Sequence, residues 1–305
     1  MAHCVVPAAE EILDREFPVL NKGFVRLVDY LGGDARIVQA ARVSYGEGTK
    51  TYREDAALID HLLRNEHTSP FEQVVLTFHV KLPIFVARQW IRHRTARVNE
   101  ISGRYSVMKD EFYLPRPEDV ALQSEDNKQG RSAEPVPAEI AESAIARLAG
   151  GQRASYAEYS GLVKSGLARE LARIDLPLSL YTEWYWQIDL HNLFRFLALR
   201  LDPHAQLEIR EYARVMLDIA RAVAPSATAS FENHILGGSR FSAREMAELR
   251  RRLAPRDAAS AISRGQAGAA APDGTVAGAP DGVAAPLQGK ELERFEEKLR
   301  SGRQK

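Results

Sequence analysis

Between Arg88 and Tyr105 the chain reads RQWIRHRTARVNEISGRY, which sets five arginines and one histidine against a single carboxylate, Glu100, within eighteen residues. Guanidinium groups stay protonated and present forked donors that fit phosphate and carboxylate oxygens. Because the chain as a whole balances 41 basic with 41 acidic residues, this is a local anion site and not the mark of a basic protein. Other chemistries find little footing. The one cysteine, Cys4, lies in an unpatterned terminal segment without a neighbouring arginine, so a disulfide framework, a cysteine–zinc cluster and a thiolate nucleophile are not expected. The histidines show no HExxH spacing, and no metal is expected.

The bulk numbers set the frame for that site. A chain of 305 residues with 45% hydrophobic residues has enough apolar material for a sizeable core. Its N-terminus carries Glu10, Glu11, Asp14 and Glu16 where a signal peptide would be basic and then apolar, and uninterrupted apolar runs stay below the roughly 18 residues of a membrane span. With a single cysteine, a cytoplasmic setting is expected.

The elements that position the arginines follow from periodicity. Val74, Leu76, Phe78, Val80 and Leu82 alternate with Val75, Thr77, His79 and Lys81, the pattern of a half-buried strand. Pro83 then suits the first position of a helix through PIFVARQWIR, which delivers Arg92, His93 and Arg94 at its far end. Upstream, Ser69, Pro70, Phe71 and Glu72 spell an N-cap, a proline at N1 and a capping-box glutamate, a helix start whose free amides would favour an anion. Ile37, Val38 and Ala41 predict a helix after Asp34, and Leu58, Ile59, Leu62 and Leu63 another after Asp55. Asp189 is a predicted N-cap for a helix with the stripe Leu190, Leu193, Phe194, Leu197 and Leu201, which puts His191 and Arg195 together on a different face. Ile209, Tyr212, Ala213, Met216, Ile219, Ala220 and Val223 predict a long helix stopped near Pro225.

The fold class read from this pattern is α+β with helices in the majority. Residues 1–254 are expected to form one domain, with an inserted loop over about 116–137. The Ala/Pro/Gly-rich stretch 255–290 reads as a disordered linker, and 291–305 as a short C-terminal helix.

The stretch RHRTARVNEISGRY resembles the signature of flavin-dependent thymidylate synthases: Arg-His-Arg, two variable residues, Ser, any residue, Asn-Glu, any residue, Ser, any residue, Arg-Tyr. Arg92, His93, Arg94, Asn99, Glu100, Ser102, Arg104 and Tyr105 meet the fixed positions, and Arg97 stands where the pattern has serine. The likeness continues in AARVSYG, HTSPFE, FHVKLPIFVARQW, LARIDLPLSLYTEWYW and LRLDPHAQLEIREYA, and is read as covering roughly Gly23 to Ala224 without the tail. It implies a helix-rich single domain around a central, mostly antiparallel sheet, assembled as a homotetramer with shared active sites. It further implies methylation of dUMP to dTMP with methylenetetrahydrofolate as carbon donor, NADPH as reductant of a bound FAD, the reduced flavin as hydride source, and no protein nucleophile on the uracil ring.

By matching positions, the resemblance places Gln89, Trp90, Ile91, Arg92, Glu100, Ile101, Ser102, Gly103, Arg104, Arg173 and Arg200 around dUMP. Arg104 and Arg173 suit the phosphate, and the Ser102–Gly103 backbone can approach it closely. Ser102 lacks an evident histidine–carboxylate pair and is read as a binding residue. Arg200 is read as the catalytic group, a permanent cation beside the pyrimidine imide. For FAD the matching positions are Ser44, Ser69, Glu72, Arg92, His93, Arg94, Asn99, Glu100, Asp189, His191, Arg195 and His204. Two other readings stay open at this level. One is an FAD-binding NADPH oxidase without methylation; the other is a single-stranded nucleic-acid binder that stacks bases on Trp90 and Tyr105, although Glu100 and the neutral remainder of the chain speak against it.

Overall fold

The computed structural model describes residues 4–43, 52–125, 128–253 and 287–301. Ser44 and most of the expected 255–290 linker lie outside the described residues. Along the chain come α1 (Pro7–Glu10), β1 (Glu16–Val19), β2 (Gly23–Leu31), α2 (Asp34–Arg42), α3 (Tyr52–Arg64), β3 (Val75–Pro83), α4 (Ile84–Trp90), β4 (Arg97–Glu100), β5 (Ala121–Gln123) and β6 (Arg131–Pro135). They are followed by α5 (Ala138–Lys164), α6 (Arg169–Ala172), β7 (Tyr181–Asp189), α7 (Leu190–Arg200), α8 (Leu207–Val223), α9 (Pro225–Phe231), α10 (Ala243–Leu253) and α11 (Gly289–Ser301).

The expected antiparallel sheet is present. Its order is β1-β2-β3-β7-β4, and each neighbouring pair is antiparallel. The alternation along β3 decides which face is covered: Leu76, Phe78, Val80 and Leu82 are wholly buried, and their partners on β7 are Ile188, Trp186, Trp184 and Thr182. Against that face pack α4, α7 and α8, with Trp90 at the centre. Its ring lies 4.7 Å from Phe196, 5.3 Å from Trp186, 5.7 Å from Trp184 and 5.8 Å from Tyr212, centroid to centroid. Burying each such large apolar side chain contributes on the order of 1.5–3 kcal/mol.

Local rules explain the helices around the sheet. Asp189 caps α7 as expected: Oδ1 accepts from the Asn192 amide at 2.9 Å and Oδ2 from Asn192 Nδ2 at 2.8 Å. Asp34 opens α2 and also accepts from the backbone of Ser226 and Ala227, so one carboxylate joins two helix starts. The Ser69–Glu72 expectation is corrected. Only a single 3-10 turn, Phe71–Gln73, forms there, its N-cap is Pro70 without a side-chain hydrogen bond, and Glu72 accepts instead from Thr68 Oγ1 at 3.3 Å. The reason is room: β3 starts at Val75, two residues past the turn, so no α-helix can develop. The 116–137 stretch, expected as a loop, contains the β5–β6 hairpin. It is tied down by Arg131, whose Nη2 reaches Glu208 Oε1 at 2.7 Å and Oε2 at 3.0 Å.

The chain divides into two compact units, Met1–Phe231 and Glu232–Lys305, where the sequence pattern suggested a division after 254. The contacts of α10 account for the earlier break. Within the second unit Lys298 Nζ donates to Glu245 at 2.6 Å, Arg252 pairs with both Glu248 and Glu296, and buried Phe295 packs edge-on against Phe241. A helix pattern read alone shows α10 as the end of what precedes it, whereas its partners come from α11. Among the described residues no helix is long and apolar enough to cross a membrane.

Candidate active site

The signature segment runs from the last turn of α4 through β4 and into the turn after it. Strand periodicity splits its residues between two faces. Val98 and Glu100 stand opposite Trp186 and Trp184 on the helix-covered face, while Arg97 and Asn99 stand opposite Gln187 and Tyr185 on the other. Arg97 Nη1 donates to Gln187 Oε1 at 3.4 Å, which gives the residue that replaces the signature serine a neutral partner on the outer face. Glu100 Oε1 accepts from Thr182 Oγ1 at 2.6 Å, and the Ile101 amide continues the ladder to the Glu183 carbonyl at 2.9 Å. The expected flavin pair Asn99 and Glu100 is therefore divided between faces.

On the covered side, the end of α4 meets the end of α7. Arg200 Nε donates to His93 Nε2 at 3.1 Å, and Arg200 Nη2 donates to the Gln89 carbonyl at 3.2 Å. Burial, then the charges of Arg200 and Arg195, lower the His93 pKa to about 4, so the ring is neutral near pH 7 with its Nε2 free to accept. Burial also lowers the Arg200 pKa from its usual value. Both partners of Arg200 are neutral, and it makes no salt bridge among the described residues, so a charge held on one side has no counter-ion.

A second cationic group forms at the turn after β4. The amides of Tyr105 and Ser106 both close on the Ser102 carbonyl at 3.1 Å. A side chain on Gly103 would sit 3.1 Å from Arg173 Cδ and 3.1 Å from Met108 Sδ, so glycine is what lets Arg173 lie against this turn. Arg104 Nε pairs with Glu170 at 3.2 Å, and Arg169 Nη1 donates to the Tyr105 carbonyl at 2.8 Å. Arg104 and Arg173, far apart in sequence, are thus brought to one turn.

The remaining expected residues fall into place less evenly. Arg92 and Arg94 are exposed and make no ion pair among the described residues. The Phe71–Gln73 turn adjoins the start of α7, where the Leu190 amide bonds the Val74 carbonyl at 2.8 Å. Both Asp189 oxygens are engaged by Asn192 in the cap. His204 Nδ1 lies 2.8 Å from Asp202 Oδ1. Ile91 and Ile101 are exposed apolar residues beside the cations. Trp90 is fully buried in the aromatic core, so its ring stacks on no ligand, and the base-stacking reading loses half of its platform. Sequence reasoning missed Glu170, which occupies Arg104, and Gln206, whose Oε1 accepts from Gln89 Nε2. Only the matched stretch PHAQLE signalled Gln206, since no periodicity marks it.

An antiparallel sheet covered on one face by helices, with arginines gathered around its terminal strand, defines an α+β protein. The family described as "Thymidylate synthase complementing protein" matches residues 26–226, and the "Thymidylate synthase ThyX C-terminal domain" matches residues 239–305. A flavin-dependent thymidylate synthase of Treponema denticola is 62% identical over 292 residues, spanning 96% of this chain and 100% of that protein. One of Treponema pallidum is 60% identical over 304 residues, spanning 100% of this chain and 91% of that protein. The crystal structure of a UMP/dUMP methylase, PolB from Streptomyces cacaoi, bound with 5-Br dUMP is similar with a TM-score of 0.65 and 30% identity, covering 72% of this chain and 98% of that one. The chain belongs to the flavin-dependent thymidylate synthase family. Its likeness to that family reaches beyond Ala224, because the C-terminal match takes in the tail that the sequence reading had set aside.

Proposed function

We propose that this chain methylates dUMP to dTMP, with Arg200 as the residue that activates the pyrimidine. The observation that carries this reading is the guanidinium of Arg200, fixed by His93 Nε2 and the Gln89 carbonyl with no carboxylate to compensate it. A permanent cation beside the ring imide favours its ionised form and raises electron density at the five-position carbon, so no thiol is needed. Arg104 and Arg173 neutralise the roughly two negative charges of the phosphate, with the Ser102–Gly103 backbone close against it.

The residues present fit a flavin: Arg92 and Arg94 are uncompensated cations for a pyrophosphate, and the exposed Ile91 and Ile101 offer apolar surface to a planar ring. When bound, FAD supplies hydride, NADPH restores it, and methylenetetrahydrofolate provides the one-carbon unit. His93, Asn99, His191, Arg195 and His204 complete the flavin contacts in this reading. In this reading the working form is a cytoplasmic homotetramer with shared sites; the exposed apolar residues Ile101, Tyr105, Leu171, Ile174 and Leu178 support association of subunits. Anaerobic turnover with dUMP carrying tritium at the five position, methylenetetrahydrofolate and NADPH tests it. Tritium release with dTMP formation is the expected result; NADPH oxidation without release overturns it.

A further inference from the structure

We propose that Thr182 is a positioning residue for the sugar of the nucleotide, acting through the carboxylate of Glu100. This inference rests on the dUMP reading above. Thr182 lies on β7, is 2% exposed, and directs Oγ1 to Glu100 Oε1 at 2.6 Å. Strand register sets the meeting. Glu100 stands opposite Trp184, and Thr182 is two residues from Trp184 on the same face, the diagonal neighbour across an antiparallel pair. The donor and acceptor cannot be exchanged: an ionised carboxylate only accepts, so the hydroxyl hydrogen of Thr182 must point to it, and the distance is that of a charge-assisted O–H···O bond.

A glutamate on an exposed strand spreads over several rotamers, and ordering it on binding costs part of the contact it makes. Thr182 orders it beforehand, being buried and, as a β-branched residue, stiff at its own first torsion. Glu100 is exposed and has no other side-chain partner among the described residues, which leaves Oε2 for a ligand. Chemistry selects the group it meets. With its phosphate mostly ionised near pH 7, dUMP has two donors, the 3′-hydroxyl and the imide N–H. A carboxylate beside the imide would oppose the ionised form that Arg200 favours. The 3′-hydroxyl raises no such conflict, and its sugar is bonded to the phosphate that this reading gives to the Ser102–Gly103 backbone. Ser102 is two residues past Glu100, about 7 Å along an extended chain.

The test measures binding to the flavin-loaded protein of two probes, dUMP and 2′,3′-dideoxyuridine 5′-monophosphate, which lacks the hydroxyl. The parent is expected to prefer dUMP. Thr182→Val keeps the shape and removes the donor. It is expected to weaken dUMP about five- to tenfold, the worth of one organised hydrogen bond, and to leave the dideoxy probe and the flavin content unchanged. Thr182→Ser keeps the hydroxyl and is expected to bind dUMP within about twofold of the parent. Unaltered dUMP affinity in Thr182→Val, equal weakening of both probes, loss of flavin, no recovery in Thr182→Ser, or a parent that binds both probes alike each overturn the inference. A parent protein that takes up flavin but binds neither probe overturns the dUMP reading, and this inference with it.

Discussion

Arg200 Nε and His93 Nε2 stand 3.1 Å apart, with the arginine donating and the imidazole accepting. The bond needs the tautomer with its proton on Nδ1, and it leaves the guanidinium charged while its partner carries no charge at all. An acidic partner in the same place would cancel the field that the proposed chemistry uses.

Replacing Arg200 therefore separates charge from geometry. Arg200→Ala is expected to lose methylation by about 10²–10³-fold, as for other electrostatic groups acting on developing charge, while the purified protein keeps its flavin absorbance. Arg200→Lys restores the charge but not the two-pronged donation to His93 and Gln89, and is expected to recover only a minor part. Full activity in either variant, by tritium release, would remove Arg200 from the mechanism.

The neutral His93 makes stability depend on acid. Its folded pKa, about 4, lies below the 6.5 of an unperturbed imidazole. Between those values the unfolded chain binds the extra proton, so this contribution is complete above pH 6.5 and falls away as the pH drops toward 4. Denaturant midpoints taken at pH 7 and pH 4.5 should fall less in His93→Gln than in the parent. Identical falls would show that His93 is not desolvated.

Glu170 would compete with the proposed phosphate for Arg104. Its pair with Arg104 is more than half exposed on both sides, and such pairs contribute about 0–1 kcal/mol to stability. Glu170→Gln should leave the unfolding midpoint nearly unchanged and tighten dUMP severalfold at low salt, with the gain shrinking as ionic strength rises. Weaker binding in this variant would make Glu170 part of the binding surface.

The hairpin is pinned by a buried charge. Burial pushes the Glu208 carboxyl up, yet hydrogen bonds and charge from Arg131, with a further bond from Tyr113, outweigh it and the net shift is downward. Arg131→Met strands that carboxylate and should cost about 2–4 kcal/mol by chemical denaturation; with Glu208→Gln added, most of the loss should return. A cost below about 0.5 kcal/mol, as for an ordinary surface change, would show that the pair is solvated.

Deletion of residues 255–305 would strip α10 of Phe295, Glu296 and Lys298. Every proposed ligand-binding residue lies in the first unit, so dUMP binding should survive, while trypsin should cut readily at Arg250–Arg252. Protected arginines in the truncated chain would mean that α10 stands without α11.

What could be read from sequence was what local rules determine. The alternation from Val74 to Leu82 and the Asp189 cap are local, and both appear in the fold. Ser69 misled because its cap signal was intact while the space for a helix was set by the strand beginning at Val75. The long α5 gave no apolar stripe: it contains Gly150, Gly151 and Gly161, and its buried residues are Ala141, Gln152 and Tyr159. Trp90 was chemically indistinguishable from a stacking residue until four aromatic neighbours surrounded it. In the site, the motif arginines were legible as residue types, but the pairs Arg200–His93, Arg173–Gly103 and Gln89–Gln206 join segments about 70 to 117 positions apart, where spacing along one chain carries no information.

The place of β4 at the end of the sheet has a bearing on solubility. A terminal strand offers unsatisfied amides and carbonyls to any passing extended chain, and proteins blunt that invitation with like charges. Here Arg92, Arg94, Arg97 and Arg104 flank or occupy the rim. Two such rims approaching edge to edge would repel, so the charge that would welcome a nucleotide would also disfavour strand-to-strand pairing at β4.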